Sequence, residues 1–371
     1  MRIFTLQSSG ISEVDEQLAL TELRLPEQGY LWMSCARQEF ASLQAQIQAA
    51  LQSLCGMQLV DLHISDLLNN QLPSHYDYTS QYDVLVFRRL AASSGAEAPV
   101  QELADAARAK RSGPPILKRI DTSPVGFAVF DNVLLTVHPG DCAVRDAYAS
   151  KLLSAVRTPG LGSPRLPSSP ADLMLRIVNQ MVDGYLELRR ELTRQLDHWQ
   201  AELLNPRTRF NNWGTLLDAR LSLHQLDQVC EDQRTAVQDW IEALKLWPDA
   251  QTPASQRERE LLNVRSRDVL EHIERVVHHV RRLEQNAETA VQMHFSAQSN
   301  RTNDIMRTLT VLTAIFLPLN LIAGIFGMNF DFLPLIHTSS GFWWAMSAML
   351  LIALALVLVF WRKRYLEHSG R

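Results

Sequence analysis

The chain has 371 residues, enough for two structural units, and carries 36 Lys and Arg against 40 Asp and Glu for a net charge of −4. That near balance argues against nucleic-acid binding. Four scattered cysteines, Cys35, Cys55, Cys142 and Cys230, form no CxxC pair, which argues against a disulfide framework or structural zinc and fits reduced thiols in the cytoplasm. A mean hydropathy of −0.10 conceals an asymmetry, because nearly all uninterrupted apolar sequence follows Thr308.

The start, Met1-Arg2-Ile3-Phe4-Thr5, lacks the basic and then apolar pattern of a signal peptide. Short β-like runs occur at 2–6, 30–34, 59–63 and 84–88. The clearest hairpin joins 126–130 to 133–138 through Asp131-Asn132. Helical patterns lie between, at 39–54 and 145–156. Residues 1–157 therefore read as a mixed α/β domain. His63, His75 and His138 have no Cys or paired acid at metal-ligand spacing, no nucleophile and base set stands out, and there is no phosphate-binding loop. Enzymatic activity and ATP-driven pumping are not expected, nor is a cofactor.

A Pro-, Gly- and Ser-rich stretch at 158–170 reads as a linker. Residues 171–307 read as a helical stalk. Two amphipathic helices within 171–246 break near Asn205-Pro206 and resume by Trp213. A third begins near Ser255, and no glycine lies between Gly214 and Gly324, nor a proline between Pro253 and Pro318. A helix from 255 to 326 would be roughly 105 Å long. Its soluble half carries an apolar stripe, Leu262, Val269, Val276, Leu283 and Ala290, interleaved with Ile273, Val280 and Ala287. The doublet His278-His279 reads as solvated.

Two uncharged segments follow, 308–327 and 342–361, each about 20 residues and long enough to cross a bilayer. Arg301 and Arg307 precede the first, and Arg362-Lys363-Arg364 open the tail at 362–371. The connector 328–341 holds no Lys or Arg, so both ends are expected in the cytoplasm of a cell whose inner membrane the chain spans twice. Trp343, Trp344 and Trp361 sit at interfacial depth. Asn303, Met306, Thr310, Thr313, Leu317, Asn320 and Gly324 share one helical face, opposite Ile305, Leu312, Ile315, Phe316, Leu319 and Ile322. Several copies around an axis would line a channel with that face; polar residues in spans also serve as interhelical glue. Pro318 removes one backbone hydrogen bond.

Asn300-Arg301-Thr302-Asn303, Ile315-Phe316-Leu317-Pro318-Leu319 and Ile322 through Phe330, with Gly327-Met328-Asn329 inside, closely resemble the CorA family of magnesium and cobalt channels. More weakly, Arg267-Asp268-Val269 with His272 resembles its stalk, and Leu62-His63 through Phe87 its N-terminal domain. The resemblance implies an α+β membrane protein, a homopentamer with a funnel of stalk helices and a pore formed by the first span. Gly327, Met328 and Asn329 would form the selectivity mouth, with Asp331 the acid of the outer loop. Asn303, Met306 and Leu309 match inner-pore positions, Met306 and Leu309 as an apolar constriction. Thr313, Leu317, Asn320 and Gly324 match positions further out. Asp268 matches an acid that helps bind a regulatory Mg²⁺ between neighbouring subunits. Its partner acid is not identified, and Glu97, Glu102 and Asp105 in an insertion at 91–124 are candidates. Leu335 stands where a second outer acid is common, and Phe326 where Tyr is frequent. The function implied is passive, gated import of hydrated Mg²⁺, with Co²⁺ or Ni²⁺ as further cargo, closed by cytoplasmic Mg²⁺. The alternatives are a ZntB-like zinc transporter, which Met328 in place of Val disfavours, and a non-conducting membrane-tethered coiled-coil sensor.

Overall fold

The structure, a computed structural model, describes residues 1–7, 10–14, 20–90, 121–140, 146, 148–150, 152–153, 166–204, 213–248, 252–328 and 340–362. It forms two compact units, Met1–Glu202 with Thr208–Glu288, and Leu203–Arg207 with Thr289–Arg371.

The first unit is built on a seven-stranded sheet of β1 (Arg2–Gln7), β2 (Gly10–Glu13), β3 (Tyr30–Ala36), β4 (His75–Tyr78), β5 (Asp83–Leu90), β6 (Thr122–Val129) and β7 (Val133–His138). The order is β2-β1-β3-β7-β6-β5-β4. Only β3 and β7 pair in parallel, from Leu31↔Val133 to Ala36↔His138. Every residue of β7 is buried, as expected for a central strand covered on both faces. Between β3 and β4 run α1 (Arg37–Cys55) and α2 (Asp61–Leu68). Their Phe40, Ile47, Leu51, Ile64 and Leu67 share a core with Met33, Cys35, Val84, Val133 and Leu135 on one sheet face. Glu39 caps α1 by accepting the Ala36 N–H at 2.8 Å, and Gly56 closes it with φ 75°. α2 lies so close to the sheet that a Cβ on Gly126 would stand 2.2 Å from Leu67 Cδ2.

The expected strand at 59–63 is not one. Leu59 is extended, but its backbone is bracketed by the Gln48 amide at 2.8 Å in both directions, and α2 starts at Asp61. The acid favours the positive helix end, while His63, Ile64 and Leu67 present one buried face. A short apolar run does not distinguish strand from helix by itself. The edge strands β2 and β4, Gly-Ile-Ser-Glu and His-Tyr-Asp-Tyr, carry the polar residues that edges require and so give no strand signal. Of the helical pattern at 145–156, residues 146, 148–150 and 152–153 are helical and the other half lies outside the described residues, as do the segment 91–120 with Glu97, Glu102 and Asp105, Leu335, and the tail beyond Arg362.

The stalk helices are α3 (Pro170–Leu204), α4 (Trp213–Leu246) and α5 (Pro253–Phe326). α3 is described to Leu204 and α4 from Trp213; the expected break at Asn205-Pro206 lies outside the described residues. α4 packs on β4 and β5, where Trp240 meets Tyr76 edge to face. Tyr185 of α3 and Gln233 of α4 both donate to the Arg88 carbonyl of β5, at 3.0 and 2.7 Å. All eight residues of the apolar stripe on α5 are buried. Trp240 Nε1 donates to Ser266 Oγ at 2.9 Å, and that hydroxyl donates to the Leu262 carbonyl, so two buried polar groups satisfy one another beside the stripe.

The second unit contains the remainder of α5 and α6 (Gly341–Arg362). Both carry an apolar window long enough to span a bilayer, with mean hydropathies of 2.2 and 2.4, and almost none of either window is buried within the chain.

Candidate functional site

The apolar part of α5 has three faces. Val311 is buried and Ala314, Ile315, Pro318, Leu319 and Ile322 are half-buried, so one stripe is covered by protein within the unit. α6 has a matching half-buried stripe of Ala345, Met349, Ile352, Ala353, Leu356 and Phe360. A second face of α5, with Ile305, Leu312 and Phe316, is bulky and exposed. The third is the predicted polar face, and each of its residues, Asn303, Met306, Thr310, Thr313, Leu317, Asn320 and Gly324, is exposed. Leu309 stands beside it, also exposed. At about 100° per residue the polar face lies roughly 150° around the helix from the covered stripe. The chain's own second span therefore does not occupy it.

The hydroxyls on this face are oriented by the helix itself. Thr310 Oγ1 donates to the Met306 carbonyl and Thr313 Oγ1 to the Leu309 carbonyl, each at 2.8 Å. Their protons are used inward, which leaves oxygen lone pairs to face outward as acceptors. With the carboxamides of Asn303 and Asn320, the face offers acceptor oxygens and no carboxylate. At its C-terminal end the helix closes with Gly327 N–H on the Ala323 carbonyl at 2.9 Å and Met328 N–H on the Ile325 carbonyl at 3.3 Å. A Cβ at Gly327 would stand 3.1 Å from the Ala323 carbonyl oxygen, whereas one at Gly324 would meet open space. Met328 is exposed; Asn329 and Asp331 lie outside the described residues.

Asp268 opens onto a cleft in the first unit of about 240 Å³, shared with Arg176, Asn179, Gln180, Asp183 and Arg265. Asn179 Oδ1 and Gln180 Oε1 are buried acceptors without a hydrogen-bond partner among the described residues, as is His272 Nδ1. His272 Nε2 stands 3.8 Å from Asp268 Oδ1. Fully buried Asp172 pairs with Arg265 at 2.5 Å and Arg176 at 3.0 Å, and both arginines line the cleft. Burial pushes the Tyr148 hydroxyl up to about 12, so it is a neutral donor there. Asp183 is the acid that sequence reading missed. Its one signal is position, since it follows core residue Val182 as Asp268 precedes core residue Val269, which sets both carboxylates on the flank of a buried stripe.

Of the histidine expectations, the one for His279 needs correction. His63 Nε2 lies 3.2 Å from Asp77 and Nδ1 2.9 Å from the Tyr82 hydroxyl; His75 lies 3.6 Å from Asp66. These are pairs within the fold, and no group of three metal-ligating side chains occurs among the described residues. His138 pairs with Ser34 at 3.0 Å, and both are buried in the sheet. His278 is solvated as expected, whereas His279 is half-buried and bonded on both ring nitrogens.

A family model described as "CorA-like Mg2+ transporter protein" matches residues 38–364. The chain is 27% identical over 195 residues to the cobalt/magnesium transport protein CorA of Thermotoga maritima, covering 52% of each. It is 32% identical over 155 residues to the magnesium transport protein CorA of Yersinia pseudotuberculosis, covering 41% of this chain and 47% of that one. The chain thus matches about half the length of these two relatives. The complete structure of the CorA magnesium transporter from Methanocaldococcus jannaschii aligns over 100% of this chain and 98% of that one, with a TM-score of 0.69 at 20% identity. That last likeness is one of fold.

Proposed function

The chain belongs to the CorA-like Mg²⁺ transporter family, and from that premise we propose that it is a passive, gated channel that imports hydrated Mg²⁺, and Co²⁺ or Ni²⁺ with it. The observation that carries this reading is the exposed face of α5, whose acceptor oxygens turn away from the chain's own second span. Several copies around an axis, five by family resemblance, give that face a common lumen.

Mg²⁺ is small and dehydrates reluctantly, so a pore that passes it quickly must accept its water shell. Those waters present hydrogens outward. The back-bonded hydroxyls of Thr310 and Thr313 and the amide oxygens of Asn303 and Asn320 accept such hydrogens without binding the ion itself. Carboxylates in their place would hold divalent ions longer and slow their exit. A ring of Asn329 at the outer mouth, with Gly327 leaving backbone room, selects the hydrated ion, and Asp331 raises its local concentration. Met306 and Leu309 form an apolar neck that closes by excluding water.

With both termini in the cytoplasm, an inside-negative potential drives entry by about 2.3 kcal/mol per charge per 100 mV, so no nucleotide is required. Closure by cytoplasmic Mg²⁺ is assigned to the Asp268 cleft. Its donor set suits a hard cation, since Asp268 and Asp183 are carboxylates and Asn179 and Gln180 bring buried oxygens with no other partner among the described residues. A bound cation supplies neutralisation there. Without it the two carboxylates disfavour the packed stalk and free it to move.

Replacement of Asn329 by Ala tests the reading. In liposomes the variant is expected to lose Mg²⁺ uptake by tenfold or more while still assembling. Uptake at the unsubstituted rate would contradict it and favour a non-conducting scaffold.

A further inference from the structure

Several arginines of the stalk meet carboxylates. Arg176 and Arg265 share Asp172, Arg281 meets Asp227 and Glu231, and Arg275 meets Glu271. Arg189 of α3 and Arg282 of α5 have no carboxylate at ion-pair distance among the described residues; Arg282 bonds His279 instead, and the Arg189 charge acts on the same ring.

The hydrogen bonds of that histidine determine its charge. Thr193 Oγ1 donates to the Arg189 carbonyl at 2.9 Å, so its lone pairs accept from His279 Nε2 at 2.8 Å. Arg282 donates to Nδ1 at 3.1 Å. A ring that donates at Nε2 and accepts at Nδ1 is neutral. Burial first, then the charges of Arg189 from α3 and Arg282 from its own helix, hold its pKa below the ordinary value. Two guanidiniums on neighbouring helices thus lack an anion, and the histidine whose charge both disfavour is one proton short of a third cation.

We propose that Arg189, His279 and Arg282 form a binding site for a phosphate-bearing polyanion that bridges α3 and α5. Guanidinium forks match phosphate oxygens in bidentate geometry. Once an anion engages Arg282, Nδ1 loses the donor that kept it deprotonated, and the ring takes up a proton and donates to the same anion. Binding and proton uptake are linked, so affinity rises as pH falls through the histidine range. The site lies about three helical turns along α5 from Asp268, and its occupancy does not depend on whether the chain conducts ions.

Inorganic tripolyphosphate is the probe, titrated calorimetrically into the full-length protein in detergent, free of divalent cations, at pH 8 and pH 6 in buffers of different ionisation enthalpy. The expected result is saturable binding several-fold tighter at pH 6, with net proton uptake. Arg282→Gln and Arg189→Gln are each expected to weaken it about tenfold. His279→Gln, which keeps neutral hydrogen bonding, is expected to bind at pH 8 as the parent does but to lose the tightening at pH 6. The probe itself loses charge on acidification, so an unstructured basic surface would bind it more weakly at pH 6, and that result overturns the proposal. So do Arg282→Gln binding that matches the parent, and absence of binding to the assembled oligomer, which would assign the cluster to carboxylates of another copy. Elution of each variant at the parental size confirms that it folds.

Discussion

Gly29 tolerates no substituent larger than hydrogen. Its φ of 121° is a conformation L side chains avoid, and a Cβ there would lie 2.0 Å from the Leu6 carbonyl oxygen of β1. Gly29→Ala is expected to cost at least about 2 kcal/mol through this local collision. A clear drop in the thermal midpoint of the detergent-solubilised protein would be the sign, and an unchanged midpoint would contradict the geometry. Other single residues were only partly legible in the sequence. The polar positions of α5 could be found because a helix repeats at a known spacing. Asp183 and the bonding of His279 could not, because both depend on which turn of α3 lies against which turn of α5, and nothing local encodes that.

Among the elements, α5 could be read almost end to end, since the lack of glycine and of proline before Pro318 leaves no interruption and the heptad-like stripe names its buried face. The hairpin of β6 and β7 was also legible, its Asp131-Asn132 turn standing between two apolar runs. α2 was not, for its four or five apolar residues satisfy strand and helix alike until the sheet above Gly126 requires a helix to cover it. The stripe makes a prediction of its own. Val276 is 1% exposed, so Val276→Asp inserts an unpaired charge between stalk helices and is expected to destabilise the first unit by about 3 kcal/mol or more. Its neighbour His278 is exposed, and His278→Asp should leave stability within about 0.5 kcal/mol. Equal unfolding midpoints for the two variants would remove the stripe from any role in packing.

At the scale of the molecule, the sequence displays an α/β and helical body ahead of two apolar spans, and the fold matches a complete CorA structure over the whole chain. What one chain cannot contain is the lumen itself. The polar face of α5 is exposed in the single chain. The decisive measurement is Mg²⁺ uptake by liposomes holding the full-length protein, with interior Mg²⁺ set low or high and no nucleotide or proton gradient. The account predicts uptake driven by the Mg²⁺ gradient alone that falls as interior Mg²⁺ rises, and a fall several-fold smaller in Asp268→Ala. Zn²⁺ uptake that requires a proton gradient, with none for Mg²⁺, would contradict it.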